Sequence, residues 1–263
     1  MKRFALALGL LLGLQAHGAY AARLIHSRDA HPLATLLSDV RQIAAKHEHP
    51  VVLFDLDDTL FTTQYRNLAI VKEWAATLAG APYRKKLMAL TADRIGYDND
   101  PVLLNAGVPA SQLPAFERFW AQRFFTSAYL VNDRAEPGAV AYVRALEKAG
   151  ARIVYLTGRP APMLPGTQQA LIRCGFPWDA AGAATELIVK KKQEPDAQFK
   201  FEQAQALAIS NDVIASFDNE PANVNAFHRA LPQGMVVYIE TIHSAHAPAV
   251  EAGIEKVRSF PAN

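Results

Sequence analysis

Residues 51–60 read VVLFDLDDTL, an apolar run that stops at Asp55, Asp57 and Asp58, with Thr59 behind them. Carboxylates packed this closely raise one another's pKa, so the arrangement is unfavourable unless a cation offsets the repulsion. A divalent metal is the simplest remedy. Two further apolar runs end in polar clusters: residues 152–156 lead into Thr157, Gly158 and Arg159, and residues 213–217 lead into Asp218, Asn219 and Glu220. Lys200 stands between them at the start of a helical stretch. A single cluster of this kind fits an ordinary turn, since Asp, Asn, Gly and Thr favour turns and helix caps. Three such clusters behind successive strands point to a site.

The elements that position these residues follow from hydrophobic spacing. A buried parallel strand is a continuous apolar run, and ligands of open α/β sheets gather outside the carboxyl ends of such strands. Residues 33–46 space Leu36, Leu37, Val40 and Ile43 as a helix, and residues 51–54 form the first strand. Residues 61–133 read as helical, with no clear strand. After Pro137 and Gly138 a helix runs through Leu146, and strands at 152–156, 187–189, 213–217 and 235–239 alternate with helices near 168–174, 201–209 and 222–229. That alternation implies an α/β fold, a three-layer Rossmann-like parallel sheet core with a helical cap inserted after the first strand. The expected divisions are a leader at 1–21, a core at 22–60 and 134–263, and a cap at 61–133. The aromatic residues Phe116, Phe119, Trp120, Phe124, Phe125 and Tyr129 are expected to be the core of the insert, with lining of a substrate pocket as the other reading.

FDLDDTL, LTGR, a helix-opening lysine and FDN, in that order, resemble the four motifs of the haloacid dehalogenase superfamily. The resemblance spans residues 51–225 and implies a hydrolase acting on a phosphate monoester. On the matching positions it implies that Asp55 is the nucleophile and Asp57 the general acid and base. Thr157, Gly158, Arg159 and Thr59 would bind substrate. Asp55, Asp57 (through its backbone carbonyl), Asp218 and Asn219 would hold Mg²⁺, with Glu220 or Asn223 as further candidates. Oxygen donors of this kind suit Mg²⁺ and not zinc. The lysine is Lys200 or Lys190, the latter in the run Lys190, Lys191, Lys192. Asp58 is expected to shape the turn, and Arg159 is either a substrate contact or a surface residue. Tyr65 and Arg66 are further substrate candidates. Asp57 argues against a dehalogenase, which has no leaving alcohol to protonate. Alternatives are a phosphomutase or other phosphotransferase, or an exported binding protein that kept the fold and lost turnover. Similarity to exported acid phosphatases of the superfamily is partial, with Phe217 where many relatives carry glycine.

Composition fits a folded protein: 51% of the 263 residues are hydrophobic and 20% charged. Lys2 and Arg3 precede an uncharged stretch and then Ala19 and Ala21, the order of a secretory signal peptide cleaved after Ala21 or Gly18. The apolar stretch is too short for a permanent span, and no lipid-accepting cysteine follows it. The expected mature protein is therefore periplasmic or secreted, with no stable membrane anchor. Those two leader residues account for the whole formal charge of +2, so nothing in the charge balance favours nucleic acid. The implied partner is a small phosphorylated substrate. Cys174, the single cysteine, is expected to be a core thiol, and His243 and His246 surface residues.

Overall fold

The computed structural model describes residues 31–179 and 181–261, so the expected leader at 1–21 lies outside the described residues. Helix α1 (Pro32–Ala44) precedes β1 (Val51–Phe54). A short strand, β2 (Phe61–Thr62), then leads into α2 (Gln64–Thr77), α3 (Arg84–Met88), α4 (Asp100–Ala106) and α5 (Leu113–Phe124). The chain returns through β3 (Arg134–Ala135) to α6 (Ala139–Lys148), β4 (Arg152–Pro160), α7 (Leu164–Cys174) and β5 (Thr185–Lys190). It ends with α8 (Asp196–Ser210), β6 (Val213–Asp218), α9 (Pro221–Ala230), β7 (Met235–Ile239) and β8 (Glu255–Val257).

The main sheet has the order β5-β4-β1-β6-β7-β8, and every pairing in it is parallel. Counted along the chain, these strands lie 3-2-1-4-5-6, the order of nucleotide-binding sheets. The order in which strands are added to the sheet reverses between β1 and β6, and a crevice opens at their carboxyl ends. All four side chains of β1 are buried, because both faces of the sheet are covered. Val52 and Phe54 pack with Leu36 and Val40 of α1 and Val143 of α6, while Val51 and Leu53 pack with Phe199 of α8 and Phe227 of α9. The Tyr142 hydroxyl donates to the Leu33 carbonyl at 2.9 Å and ties α6 to α1. A separate core lies among α2–α5, where Ile70, Trp74, Leu87, Leu103 and Phe116 meet. Among the described residues no helix is long and apolar enough to cross a membrane.

The structure differs from the sequence expectation in five places. Residues 61–62 and 134–135 pair as an antiparallel ribbon at the two ends of the helical segment, Phe61 opposite Ala135. Two-residue strands are too short for alternation to reveal. β4 runs on to Pro160, so Thr157, Gly158 and Arg159 lie within the strand, where its pairing with β5 shifts register. α7 begins at Leu164 because Pro165, an apparent breaker, falls in the first turn, where no amide partner is lost. α8 begins at Asp196 instead of near 201, and β8 extends the sheet at an edge that carried no signal.

Phe217, the last residue before Asp218, is a core residue. Its ring stacks on Phe54 at 4.5 Å between centroids. Gly150 closes the α6 end with φ 108°, and a Cβ there would stand 2.5 Å from the Ala44 Cβ of α1. Gly150→Ala is therefore expected to lose about 1–3 kcal/mol in urea unfolding, from backbone strain plus the clash. A loss within 0.3 kcal/mol, read by the same titration at roughly the precision of additive sites, would show that the α6–α1 junction yields freely.

Candidate active site

Asp55 follows β1 directly, its amide donating to the Phe217 carbonyl of β6 at 3.0 Å. That bond sets Asp55 beside Asp218, the last residue of β6. Lys200 lies in the second turn of α8, completely buried, with its stem beneath the strand ends. Its Nζ donates to Asp55 Oδ1 at 2.5 Å, Asp218 Oδ2 at 2.9 Å and the Leu156 carbonyl of β4 at 2.7 Å. All three ammonium donors are used, and three strands are tied to one helix. Lys190, the other candidate, instead meets the Glu194 carbonyl and the Asp196 carboxylate, and Lys191 and Lys192 are exposed.

Burial governs the protonation of this group. It pushes the Asp55 carboxyl up to about 8, with Lys200 opposing and Asp218 adding to the rise. Burial alone would lower Lys200, yet Asp218 and Asp55 outweigh it and hold the amine well above its ordinary value. Asp218 is further fixed by the Glu220 amide at 2.9 Å and by Asn223 Nδ2 at 3.1 Å to both oxygens.

The loop after Asp55 turns sharply. The amides of Leu60 and Phe61 both donate to the Leu56 carbonyl at 2.9 Å, and Asp58 takes φ 57°. The Asp58 carboxylate accepts the Thr63 amide at 2.8 Å and its hydroxyl at 2.8–3.0 Å, which holds the entry to α2. Asp58 is thus a turn residue, and burial pushes it up to about 7. Thr59, expected to bind substrate, is fully buried and forms no part of the cavity wall. Its hydroxyl donates to Asn219 Oδ1 at 3.1 Å, while Asn219 Nδ2 donates to the Ile242 carbonyl at 2.6 Å. Thr59 therefore orients Asn219.

Asp57 sits in an arginine clamp that the sequence did not reveal. Arg66 Nη2 of α2 donates to its Oδ1 at 2.7 Å, and Arg159 Nη2 of β4 at 2.5 Å. Asp133, fully buried just before β3, accepts Nε and Nη2 of Arg66 at 2.7 and 2.5 Å and Nη2 of Arg159 at 2.7 Å. Arg159 is thus buried, at 2% exposure, and the surface reading is wrong. Arg66 is buried too, and its guanidinium lies 4.5 Å from the Phe124 ring centroid. Burial alone would raise the Asp57 carboxyl, but Arg159 and then Arg66 hold it well below the usual carboxylate range. Asp133 carries no motif, and only its distant pairing with Arg66 and Arg159 gives it a role.

A cavity of about 390 Å³ opens above these groups, lined by Asp55, Asp57, Thr157, Gly158, Arg159, Asn219 and Asn223 on the sheet side. Phe116, Trp120, Phe124 and Phe125 line its other side, so these four of the aromatic residues expected in the core of the insert meet the other reading as well and face the cavity. Tyr65, His243 and His246 are exposed and lie outside it, and Cys174 packs half-buried against the core. Asp55, Asn219 and Asn223 offer oxygen donors on the sheet side of the cavity, with the Asp218 carboxylate buried beside Asn223. Among the described residues no group of three or more His, Cys, Asp or Glu side chains is arranged for a metal. Two carboxylates with amide and carbonyl oxygens fit Mg²⁺, which keeps several waters and binds through one or two carboxylates.

The fold has solved counterparts. A chain from Clostridium difficile described as a candidate phosphatase superposes with a TM-score of 0.53 over 81% of this chain and 95% of its own, at 10% identity. A predicted phosphoglycolate phosphatase from Haemophilus somnus 129pt gives a TM-score of 0.50 over 81% of this chain and 95% of its own, at 17% identity. At these identities the likeness is one of fold: the parallel sheet flanked by helices has counterparts in both chains. No family model and no curated protein matches the chain.

Asp133→Ala leaves two buried guanidinium groups sharing one carboxylate. It is expected to cost about 3–5 kcal/mol in urea unfolding, the penalty of breaking a buried ion pair from one side. A loss below about 1 kcal/mol, the scale of an exposed pair, would show that water enters the clamp and replaces Asp133.

Proposed function

We propose that this protein is a Mg²⁺-dependent phosphatase that hydrolyses a phosphate monoester through an aspartyl-phosphate on Asp55. The observation that carries the reading is the Lys200 ammonium between Asp55 and Asp218, at the crevice where Thr157 and Gly158 of the neighbouring strand face the same cavity. An Asp55 oxygen attacks phosphorus, and the bond from phosphorus to the leaving oxygen breaks. Asp57 supplies the proton that the leaving alcohol needs. Water then attacks the phosphoryl group while Asp57 takes its proton, the bond to Asp55 breaks, and inorganic phosphate leaves. Lys200, buried behind Asp55, offsets negative charge at the reacting carboxylate, and the Thr157 hydroxyl orients a phosphoryl oxygen. Asp55, Asp218, Asn219 and the Asp57 carbonyl would hold Mg²⁺, whose charge offsets that of the incoming phosphate.

The arginine clamp bears on both tasks of Asp57. It keeps the carboxyl ionised, which suits the second step, where a base is needed. In the first step the phosphoryl group competes for the same guanidinium groups. Each bond that Arg159 transfers from Asp57 to phosphate lets Asp57 take up a proton. The helices of residues 61–133 act as a cap that closes the cavity from water. The leader expected at 1–21 supports placing the activity in the periplasm or outside the cell.

The test is hydrolysis of p-nitrophenyl phosphate by the purified protein. Mg²⁺ is expected to support turnover and chelator to abolish it, and Asp55→Asn is expected to be inactive. Asp57→Asn is expected to lose about 10²–10⁴ in rate, the usual contribution of general acid and base catalysis. Turnover by Asp55→Asn at the wild-type rate would overturn the reading.

A further inference from the structure

The outer wall of the cavity is acidic and aromatic. Beyond the groups around Asp55 it presents Asp98, Asp100 and Glu117, together with Trp120, Phe124 and Phe125. Among the described residues Arg159 is the single basic one lining it, and its guanidinium is spent on Asp57 and Asp133. Asp98, Asp100 and Glu117 are exposed at the mouth, and among the described residues none forms an ion pair. A second phosphate, or a carboxylate on the alcohol, would meet this wall with like charge and no partner.

The rings form a fixed platform. Trp120 stacks on Phe124 at 4.6 Å between centroids, Phe125 meets both edge-on at 5.6 and 5.0 Å, and the indole Nε1 donates to Asn67 Oδ1 at 2.7 Å. Phe125 remains 48% exposed, although an aromatic group gains by burial. Ring faces carry negative potential and attract cations, most strongly where water is excluded. Asn99 lines the same cavity at 9% exposure, with its Oδ1 buried and lacking any hydrogen-bond partner. That is an acceptor in want of a donor. Tyr97, half-exposed on the same wall, has its phenol pushed up to about 12, first by burial and then by the carboxylates of Glu220, Asp98, Asp196 and Asp58.

We infer that the alcohol half of the substrate carries a positive charge. On this reading, which rests on the phosphatase activity proposed above, the substrate is the phosphate monoester of an ammonium-bearing alcohol. The phosphoryl group lies against Asp55 and the ammonium group against Trp120, Phe125 and Glu117.

The experiment compares kcat/KM for phosphoethanolamine, phosphocholine, phosphoglycolate and neohexyl phosphate, in which a carbon replaces the quaternary nitrogen, with p-nitrophenyl phosphate as the control. A cationic ester is expected to exceed neohexyl phosphate by about tenfold or more, with phosphoglycolate the poorest, and the ratio is expected to fall toward one in Asp98→Asn/Glu117→Gln and at high salt. Phosphoethanolamine ahead of phosphocholine assigns the larger share to the carboxylates and Asn99; the reverse assigns it to the rings. Equal rates for cationic and neutral esters, with the chromogenic ester hydrolysed, overturn this inference and leave the phosphatase reading standing. No hydrolysis of any ester, the chromogenic one included, overturns both.

Discussion

Three buried charges at the carboxyl ends of β1 and β6 organise this molecule. Asp55 and Asp218 sit on adjacent parallel strands, where no backbone adjustment can separate them without breaking the sheet. A parallel sheet therefore accepts two such carboxylates only if a cation is delivered to the gap between them. Lys200 does this from α8, and the requirement reaches outward: α8 must pack closely through Phe199 and Ala204, and β4 must offer the Leu156 carbonyl for the third ammonium donor. Buried ion pairs of this kind are weak sources of net stability. Their value is positional, since the lysine is satisfied in only one arrangement of strands and helix.

The same rule appears a second time around Asp57, with two cations for two carboxylates. Here two guanidinium groups meet two carboxylates, and the quartet of Arg66, Arg159, Asp57 and Asp133 draws on α2, β4, the loop after β1 and the segment before β3. Each arginine bridges the same pair of acids, so moving either one breaks two ion pairs. The helices on the far side of the cavity are thus joined electrostatically to the residue proposed to move protons.

Much of this was legible in the sequence wherever local pattern and chemistry coincide. The four apolar residues before Asp55 mark a strand buried on both faces, and the order of motifs sets Asp55, Thr157 and Asp218 on neighbouring strands, with Lys200 on the helix between the last two. Other features depend on contacts between residues far apart in the chain. Arg159 after a glycine reads equally as a surface residue, and only Asp133, 26 positions away, makes it a buried one. Thr59 reads as a substrate contact until Asn219, 160 positions later, takes its hydroxyl. Trp120 and Phe124 have helical spacing that fits a core, and they do pack in one, yet one side of that core is the cavity wall. Lys190 and Lys200 could not be separated until the start of α8 was known, because a shift of a few residues changes which side chain faces the sheet.

The β2–β3 ribbon has a further consequence. The chain leaves the sheet domain at Phe61 and re-enters at Ala135, and these residues stand directly opposite each other, strands of such a ribbon lying roughly 5 Å apart. Everything between them hangs from one doorway. Helices can be lengthened, lost or exchanged behind that doorway while the parallel register and the Lys200 bridge stay as they are. The reacting end and the end that meets the rest of the ligand are therefore free to diverge at different rates, and a lineage carrying this ribbon can change what it recognises without relearning how to react.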